Sequence, residues 1–242
     1  MSEPRRTDAN TAPSRHQERV ARGLPSHARA TDGNNAIGPH DITMLGVGSA
    51  DVTIGLQQPP ALRDDPHHPE LSGLARLAQL EPSGEWRFVA DLGAYEAANN
   101  PDGGALDTNP YGLLAVPGGQ VLTDAGGNSL LRVDANGDVS TLAVFQSRGT
   151  KPPRFPLTDA VPTSVAIGTD GAYYVGELTG LPVFAGVANV YRVVIGEAAA
   201  AEPPLVRTEQ ACVGGLTNHG ASTEIGEVLR VEPRTPRFGS EG

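Results

Sequence analysis

Leu77-Ala-Gln-Leu-Glu-Pro-Ser-Gly-Glu-Trp-Arg-Phe-Val-Ala-Asp-Leu92 can be laid without a gap on Leu130-Leu-Arg-Val-Asp-Ala-Asn-Gly-Asp-Val-Ser-Thr-Leu-Ala-Val-Phe145. In both copies an apolar-polar alternation runs into an acidic residue, turns at Ser83-Gly84 or Asn136-Gly137, and resumes as a second alternating run. Period-two alternation on either side of a short Gly-containing turn specifies a β-hairpin, and here it is used twice. A hairpin cannot bury its apolar face alone, so a repeated one implies neighbours that stack around a shared core.

The repeat extends further. Val228-Leu-Arg-Val-Glu-Pro233 repeats the first strand, and Val190-Tyr-Arg-Val-Val194 is a looser copy. Equivalent positions 80, 133, 193 and 231 are spaced by 53, 60 and 38 residues, and the first two intervals have the length of a propeller blade. A second element precedes each hairpin. Asn109-Pro-Tyr-Gly-Leu-Leu-Ala-Val-Pro-Gly-Gly-Gln-Val-Leu-Thr-Asp124 matches Val161 to Glu177, and Gly38 to Met44 followed by Asp51 to Leu56 is a more distant version. Strand, turn, strand and hairpin make four antiparallel strands, which is one blade. The fold class read from these repeats is all-β, a β-propeller.

Composition agrees. With 30 Gly and 21 Pro in 242 residues the chain is rich in turn formers, helical periodicity is weak throughout, and no stretch has the length of a membrane span. The net charge is −10, and because six arginines face three acids in the first thirty residues, the remainder carries −13. Such a domain repels a phosphate backbone, which excludes nucleic acid as a partner. Cys212 is the only cysteine, so no intramolecular disulfide and no Cys-rich zinc site can form. Residues 1–36 are Arg-rich with no apolar run, and are expected to be a disordered or atypical head, with Gln17 to Leu24 as the remnant of a blade's last strand. The domain is expected over 37–232, with a disordered tail at 233–242.

Several phrases carry a family resemblance: Asn99-Asn-Pro-Asp-Gly-Gly104, Asn109-Pro-Tyr-Gly-Leu-Leu-Ala115, Thr123-Asp-Ala-Gly-Gly-Asn128, and Val161-Pro-Thr-Ser-Val165 through Tyr173 to Gly180. They resemble the ScyD/ScyE family of β-propeller proteins over about residues 37 to 196. The resemblance implies a six-bladed propeller of the NHL or TolB-like kind, exported in typical members, with no established reaction; the chain is expected to be a monomer. No signal peptide is recognised here, so the product as written is expected in the cytoplasm. A ring of six at this period needs about 300 residues or more. The expectation is therefore a partial propeller of about four four-stranded blades, truncated at both ends, with a genuine four-bladed ring as the alternative.

Ligands of a propeller meet the loops near the starts of its inner strands. Those starts are Pro39-His40-Asp41, Asn109-Pro110-Tyr111, Pro162-Thr163-Ser164 and Thr217-Asn218. His40, Asp41, Asn109, Thr163 and Asn218 are the candidate ligand-binding residues, with His40 and Asp41 the candidates for catalysis. Oxygens of Asp41, Asn109 and Asn218 would suit a hard cation such as calcium, as in calcium-dependent lactonases on six-bladed propellers. The competing reading is that Asx residues before Pro and Gly cap turns through their own backbone. Asp124 and Glu177 share a repeat position, which favours a structural role for both. Asp134-Ala-Asn-Gly-Asp138 reads as a hairpin turn rather than a calcium loop. Asp64-Asp-Pro-His-His-Pro-Glu70 reads as a solvated loop, despite its metal-capable side chains. No nucleophile elbow, zinc-protease motif or phosphate loop occurs.

Three readings of function stay open. One is a non-catalytic, extracytoplasmic module that binds a protein or small molecule at the channel face and needs no cofactor. The second is a calcium-dependent hydrolase or lactonase. The third is a structural accessory of an extracytoplasmic biosynthetic pathway.

Overall fold

The computed structural model describes residues 17–28, 36–44, 46–147, 158–181, 187–194 and 206–207. Within them lie three four-stranded antiparallel sheets, each built from consecutive strands. The first blade comprises β1 (Pro39–Met44), β2 (Ala50–Ile54), β3 (Arg76–Leu80) and β4 (Trp86–Asp91). The second comprises β5 (Pro110–Val116), β6 (Gly119–Asp124), β7 (Ser129–Asp134) and β8 (Val139–Val144). The third comprises β9 (Pro162–Ile167), β10 (Tyr173–Glu177), β11 (Asn189–Val193) and β12 (Val206–Arg207). β1 lies beside β5 and β5 beside β9, so the first strands of successive blades adjoin, as in a propeller. The expectation of about four blades becomes three among the described residues; the copy at Val228 to Pro233 lies outside them.

The duplicated phrase forms hairpins β3–β4 and β7–β8, whose turn glycines, Gly84 and Gly137, have φ of 87° and 90°. Each turn also presses on a preceding strand or segment. A Cβ on Gly137 would collide with the carbonyl oxygen of Val89 in β4, and one on Gly84 would lie 2.7 Å from that of Val20. Residues 17–24 thus run past the first blade where β4 runs past the second. Trp86 Nε1 donates to the Arg22 carbonyl at 2.9 Å. The rest of the expected head and the expected tail lie outside the described residues.

Each inner strand opens with proline, at Pro39, Pro110 and Pro162, a position where a missing N–H costs no ladder bond. Two apolar layers separate the blades. Leu77 and Ala90 meet Leu113, Leu122, Leu131 and Val133 between the first and second blades. Val121, Leu130 and Phe145 meet Tyr173, Val175 and Tyr191 between the second and third.

The first blade also reaches the edge of β5 through polar side chains. Thr53 donates to the Tyr111 carbonyl at 2.6 Å, Leu113 N–H donates to Asp41 Oδ2 at 2.9 Å, and Ala115 N–H donates to Thr43 Oγ1 at 3.0 Å. An inner strand's edge groups are thereby satisfied by side chains rather than by another strand. On the other flank Gly112 leaves no room, since a Cβ there would sit 2.7 Å from the Thr163 carbonyl oxygen and 2.9 Å from Ser164 Cα.

Two local readings change. The weak helical periodicity conceals one helix, α1 (Leu92–Asn99), capped by Asp91, whose Oδ1 accepts from Ala94 N–H at 2.9 Å. The stretch Asp64 to Glu70 joins two single 3-10 turns, Pro60–Asp64 and Pro69–Gly73, each opened by its proline.

Because the atoms facing Gly112 are backbone, Gly112→Ala is expected to cost about 1–3 kcal/mol of stability. Urea unfolding checks this; an unchanged midpoint would show that β5 and β9 are less closely apposed.

Candidate ligand-binding face

The starts of the inner strands, the ends of β2, β6 and β10, helix α1 and the 3-10 turns all belong to one end of the blades, as the strand directions require. His40 and Asp41 lie at the start of β1, where an open groove of about 430 Å³ begins; it runs along the first blade past Val52 to Leu80, at the opposite end of the sheet, with Arg19 and Val20 on its other wall. Apolar side chains dominate its wall, and the polar groups are concentrated at the strand start.

His40 Nδ1 is 2.8 Å from the Pro110 carbonyl oxygen, and the ring lies 4.6 Å, centroid to centroid, from that of Tyr111. A carbonyl only accepts, so Nδ1 carries the hydrogen and the neutral ring keeps its lone pair on Nε2. Gly55 makes this placement possible: a Cβ there would collide with the imidazole. Asp41 is committed at both oxygens, Oδ1 accepting from Ile42 N–H at 2.8 Å and Oδ2 from Leu113 N–H. Asn109 is buried, and its Oδ1 accepts from Leu56 N–H at 3.2 Å. Thr163 is half-buried in β9, at the Gly112 contact. The structure therefore brings His40, Asp41 and Asn109 together at the seam of the first two blades, with Thr163 on the far side of β5. Asn218 lies outside the described residues.

A second polar cluster surrounds Asp124, which the sequence presents as a structural residue of the repeat, and its other members went unread. Asp124, fully buried at the end of β6, accepts from the Thr108 hydroxyl at 2.5 Å, Asn109 N–H at 2.7 Å, Gly127 N–H at 3.0 Å and Gly126 N–H at 3.1 Å. Burial raises its pKa against the lowering effect of those four bonds. Glu96 projects from α1 and is 2% exposed, and its Oε1 has no hydrogen-bond partner. Both carboxyls face Gly127, where a Cβ would lie 2.8 Å from Glu96 Oε2 and 3.4 Å from Asp124 Cγ. Burial, and then the negative charges of Asp124, Asp102 and Asp107, push the Glu96 pKa up to about 8. Asp107 is raised to about 6, by burial first and then by Asp124, Asp159 and Asp102. Asp102 Oδ2 accepts from Asn128 Nδ2 at 2.8 Å, and Asn128 Oδ1 accepts from Val161 N–H at 3.0 Å, linking the cluster to the third blade.

Repeat position identified Asp124 and Glu177 as equivalent, and the register confirms it: Asp124 pairs with Pro110 and Glu177 with Pro162. Both are buried, and Asn189 Nδ2 donates to Glu177 Oε2 at 3.0 Å. Glu96 stands outside the repeat. Its one signal is an acid four residues before the left-handed Asn100 cap in an Ala-rich stretch. Among the described residues no three His, Cys, Asp or Glu side chains form a group that could hold a metal ion, and no helix is long and apolar enough to cross a membrane.

No protein-family model matches the chain, and no curated protein matches it. Among solved structures it is similar to a putative gluconolactonase, at 15% identity and a TM-score of 0.39, over 76% of this chain and 52% of that one. It is also similar to virginiamycin B lyase from Staphylococcus aureus, at 14% identity and a TM-score of 0.36, over 69% of this chain and 55% of that one. A gluconolactonase from Xanthomonas campestris matches at 13% identity and a TM-score of 0.35, over 77% of this chain and 60% of that one. The chain thus spans between half and three-fifths of the length of these three proteins.

Glu96 gives the cluster a pH signature. With its folded pKa about 8 against an ordinary value of 4.5, the folded chain holds a proton that the unfolded chain has released. Its contribution to stability is full below pH 4.5 and is lost as pH rises toward 8, by about 1.4 kcal/mol per pH unit within that window. In chelator-containing buffer the melting temperature should fall from pH 5 toward pH 8, and Glu96→Gln should flatten that fall. Parallel profiles for the two proteins would contradict the assignment.

Proposed function

We propose that the chain is a ScyD/ScyE-like propeller module that binds a small molecule or a peptide segment, without transforming it, in a groove that runs from the start of β1 along the first blade. The observation that carries this reading is the groove beside β1, mostly apolar, with His40 and Asp41 at one end and Arg19 on its wall. Its volume of about 430 Å³ is that of a small-ligand cleft, and a few convergent polar groups on an apolar wall fix a ligand's orientation. Asp41 spends both oxygens on backbone N–H groups, and the Asn109 carboxamide oxygen accepts from Leu56. Neither is thereby poised as a nucleophile. His40 is the group with a capacity to spare, offering the Nε2 lone pair beside the partly exposed Tyr111 ring.

This combination suits an apolar body bearing a hydroxyl or amide donor for His40, with an acidic substituent for Arg19. The resemblance to the ScyD/ScyE family supports an extracytoplasmic setting for such a module.

A lactonase is the second reading, favoured by the fixed tautomer of His40, because an Nε2 lone pair can take a proton from water. The two readings separate in an assay of aliphatic and aromatic lactones with calcium present and chelated. We expect no hydrolysis above the buffer rate. In ligand-observed NMR with aromatic carboxylic acids that carry a hydroxyl group, binding should weaken about tenfold or more in His40→Ala, a loss of about 1.4 kcal/mol or more. Lactone turnover abolished by His40→Ala would overturn the binding reading in favour of the hydrolase. Fragments that bind the wild type and His40→Ala equally would remove the groove from it.

A further inference from the structure

The contact between a hairpin turn and the segment before it occurs twice. Gly137 faces the Val89 carbonyl oxygen and Gly84 faces that of Val20, so Val20-Ala21 stands to the first blade as Val89-Ala90 of β4 stands to the second. Burial agrees: Ala90 lies in the apolar layer between the first two blades, and Ala21 packs on the apolar cluster of the first blade. In the seam of the first two blades Ala90 pairs with Leu77 of β3, and Leu77, fully buried, joins Leu113, Leu122 and Leu131 in one cluster.

Strand register gives the counterparts of those three leucines on the first blade as Ile42, Val52 and Ala78. Ile42 and Val52 line the groove, and Ile42 is 55% exposed where Leu113 is 6% exposed. Among the described residues nothing stands beside Ala21 as Leu77 stands beside Ala90. The groove is thus the place of a third strand whose fourth is represented by residues 17–24.

The backbone of that segment points the same way. Residues 17–26 form no backbone–backbone hydrogen bond among the described residues, while the Arg22 carbonyl accepts from Trp86 Nε1. Unpaired N–H and C=O groups beside an apolar wall are a template for an added strand. Length also selects the occupant. The groove follows the sheet from the start of β1 to Leu80, along the five residues of β2, a distance of about 17 Å at the rise of an extended chain. A peptide of five or six residues spans it, whereas a compact small molecule covers one part.

We propose that the groove takes an extended peptide segment of another protein, added as a strand beside residues 17–24 with an aliphatic side chain at the position of Leu77. That side chain would cover Ile42, Val52 and Ala78, as Leu77 does their counterparts. The proposal rests on the binding reading of the same groove and names the class of its partner.

The test uses the full chain, isotopically labelled, and a capped synthetic peptide with the sequence of residues 76–81, the strand that fills the next seam. We expect saturable NMR shifts at Arg19 to Leu24, Ile42 and Val52, and slowed amide exchange within residues 19–24. The same peptide with Leu77→Asp should bind about tenfold or more weakly. Ile42→Asp, at an exposed position, should abolish binding while the melting temperature stays near that of the wild type. Equal binding of the two peptides would overturn the proposal. A peptide without effect, while hydroxylated aromatic acids still bind through His40, would overturn the added strand and keep the binding reading; failure of both ligands would remove the groove from both. Amides at 19–24 already protected in the free protein would show the groove filled by the chain itself or by a second copy, which sedimentation separates, and either result would overturn the proposal.

Discussion

The hydrogen bonds from the first blade's side chains to the edge of β5 are the constraint on which the rest of this structure depends. Sheets that stack face to face are held mainly by apolar contact, which is non-directional and permits sliding. Thr53, Asp41 and Thr43 add direction, since each must meet one particular backbone group between Tyr111 and Ala115. Register between two blades is thereby set by short polar side chains on β1 and β2. The Gly112 contact with β9 then sets the distance to the third blade.

The same seam shapes the loop face. His40 is held by the carbonyl of Pro110 and stacked on Tyr111, both residues of the neighbouring blade, so the orientation of the groove's polar end is a product of blade packing. Asp124 has the corresponding role on the adjacent strand, β6. It gathers the 108–109 backbone and the 126–127 turn around one buried carboxylate, and α1 docks Glu96 against it. Structure and recognition share these residues, because propeller loops are anchored at the strand ends that present them.

Much of this was legible in the sequence because it is local. Ser83-Gly84 and Asn136-Gly137 announce their turns, the alternation about them fixes which faces are apolar, and the prolines at 39, 110 and 162 mark where inner strands begin. The repeat also equated Asp124 with Glu177 correctly. What escaped reading is non-local. Helix α1 has eight residues, too few for a period to show, and Glu96 looks like any surface acid until the Gly127 turn closes over it. The commitment of Asp41 to Leu113, seventy-two residues away, follows from blade stacking, which no spacing within the chain expresses.

Amide hydrogen exchange measures the seam most directly. If the first blade's side chains serve as the missing partner strand of β5, the N–H groups of Leu113 and Ala115 are protected like those of the interior ladder strands. In Asp41→Ala the Leu113 amide then loses protection while the β6–β7 ladder keeps its own. Leu113 and Ala115 amides that exchange like unbonded surface groups in the unaltered protein, or protection at Leu113 untouched by Asp41→Ala, would contradict the account.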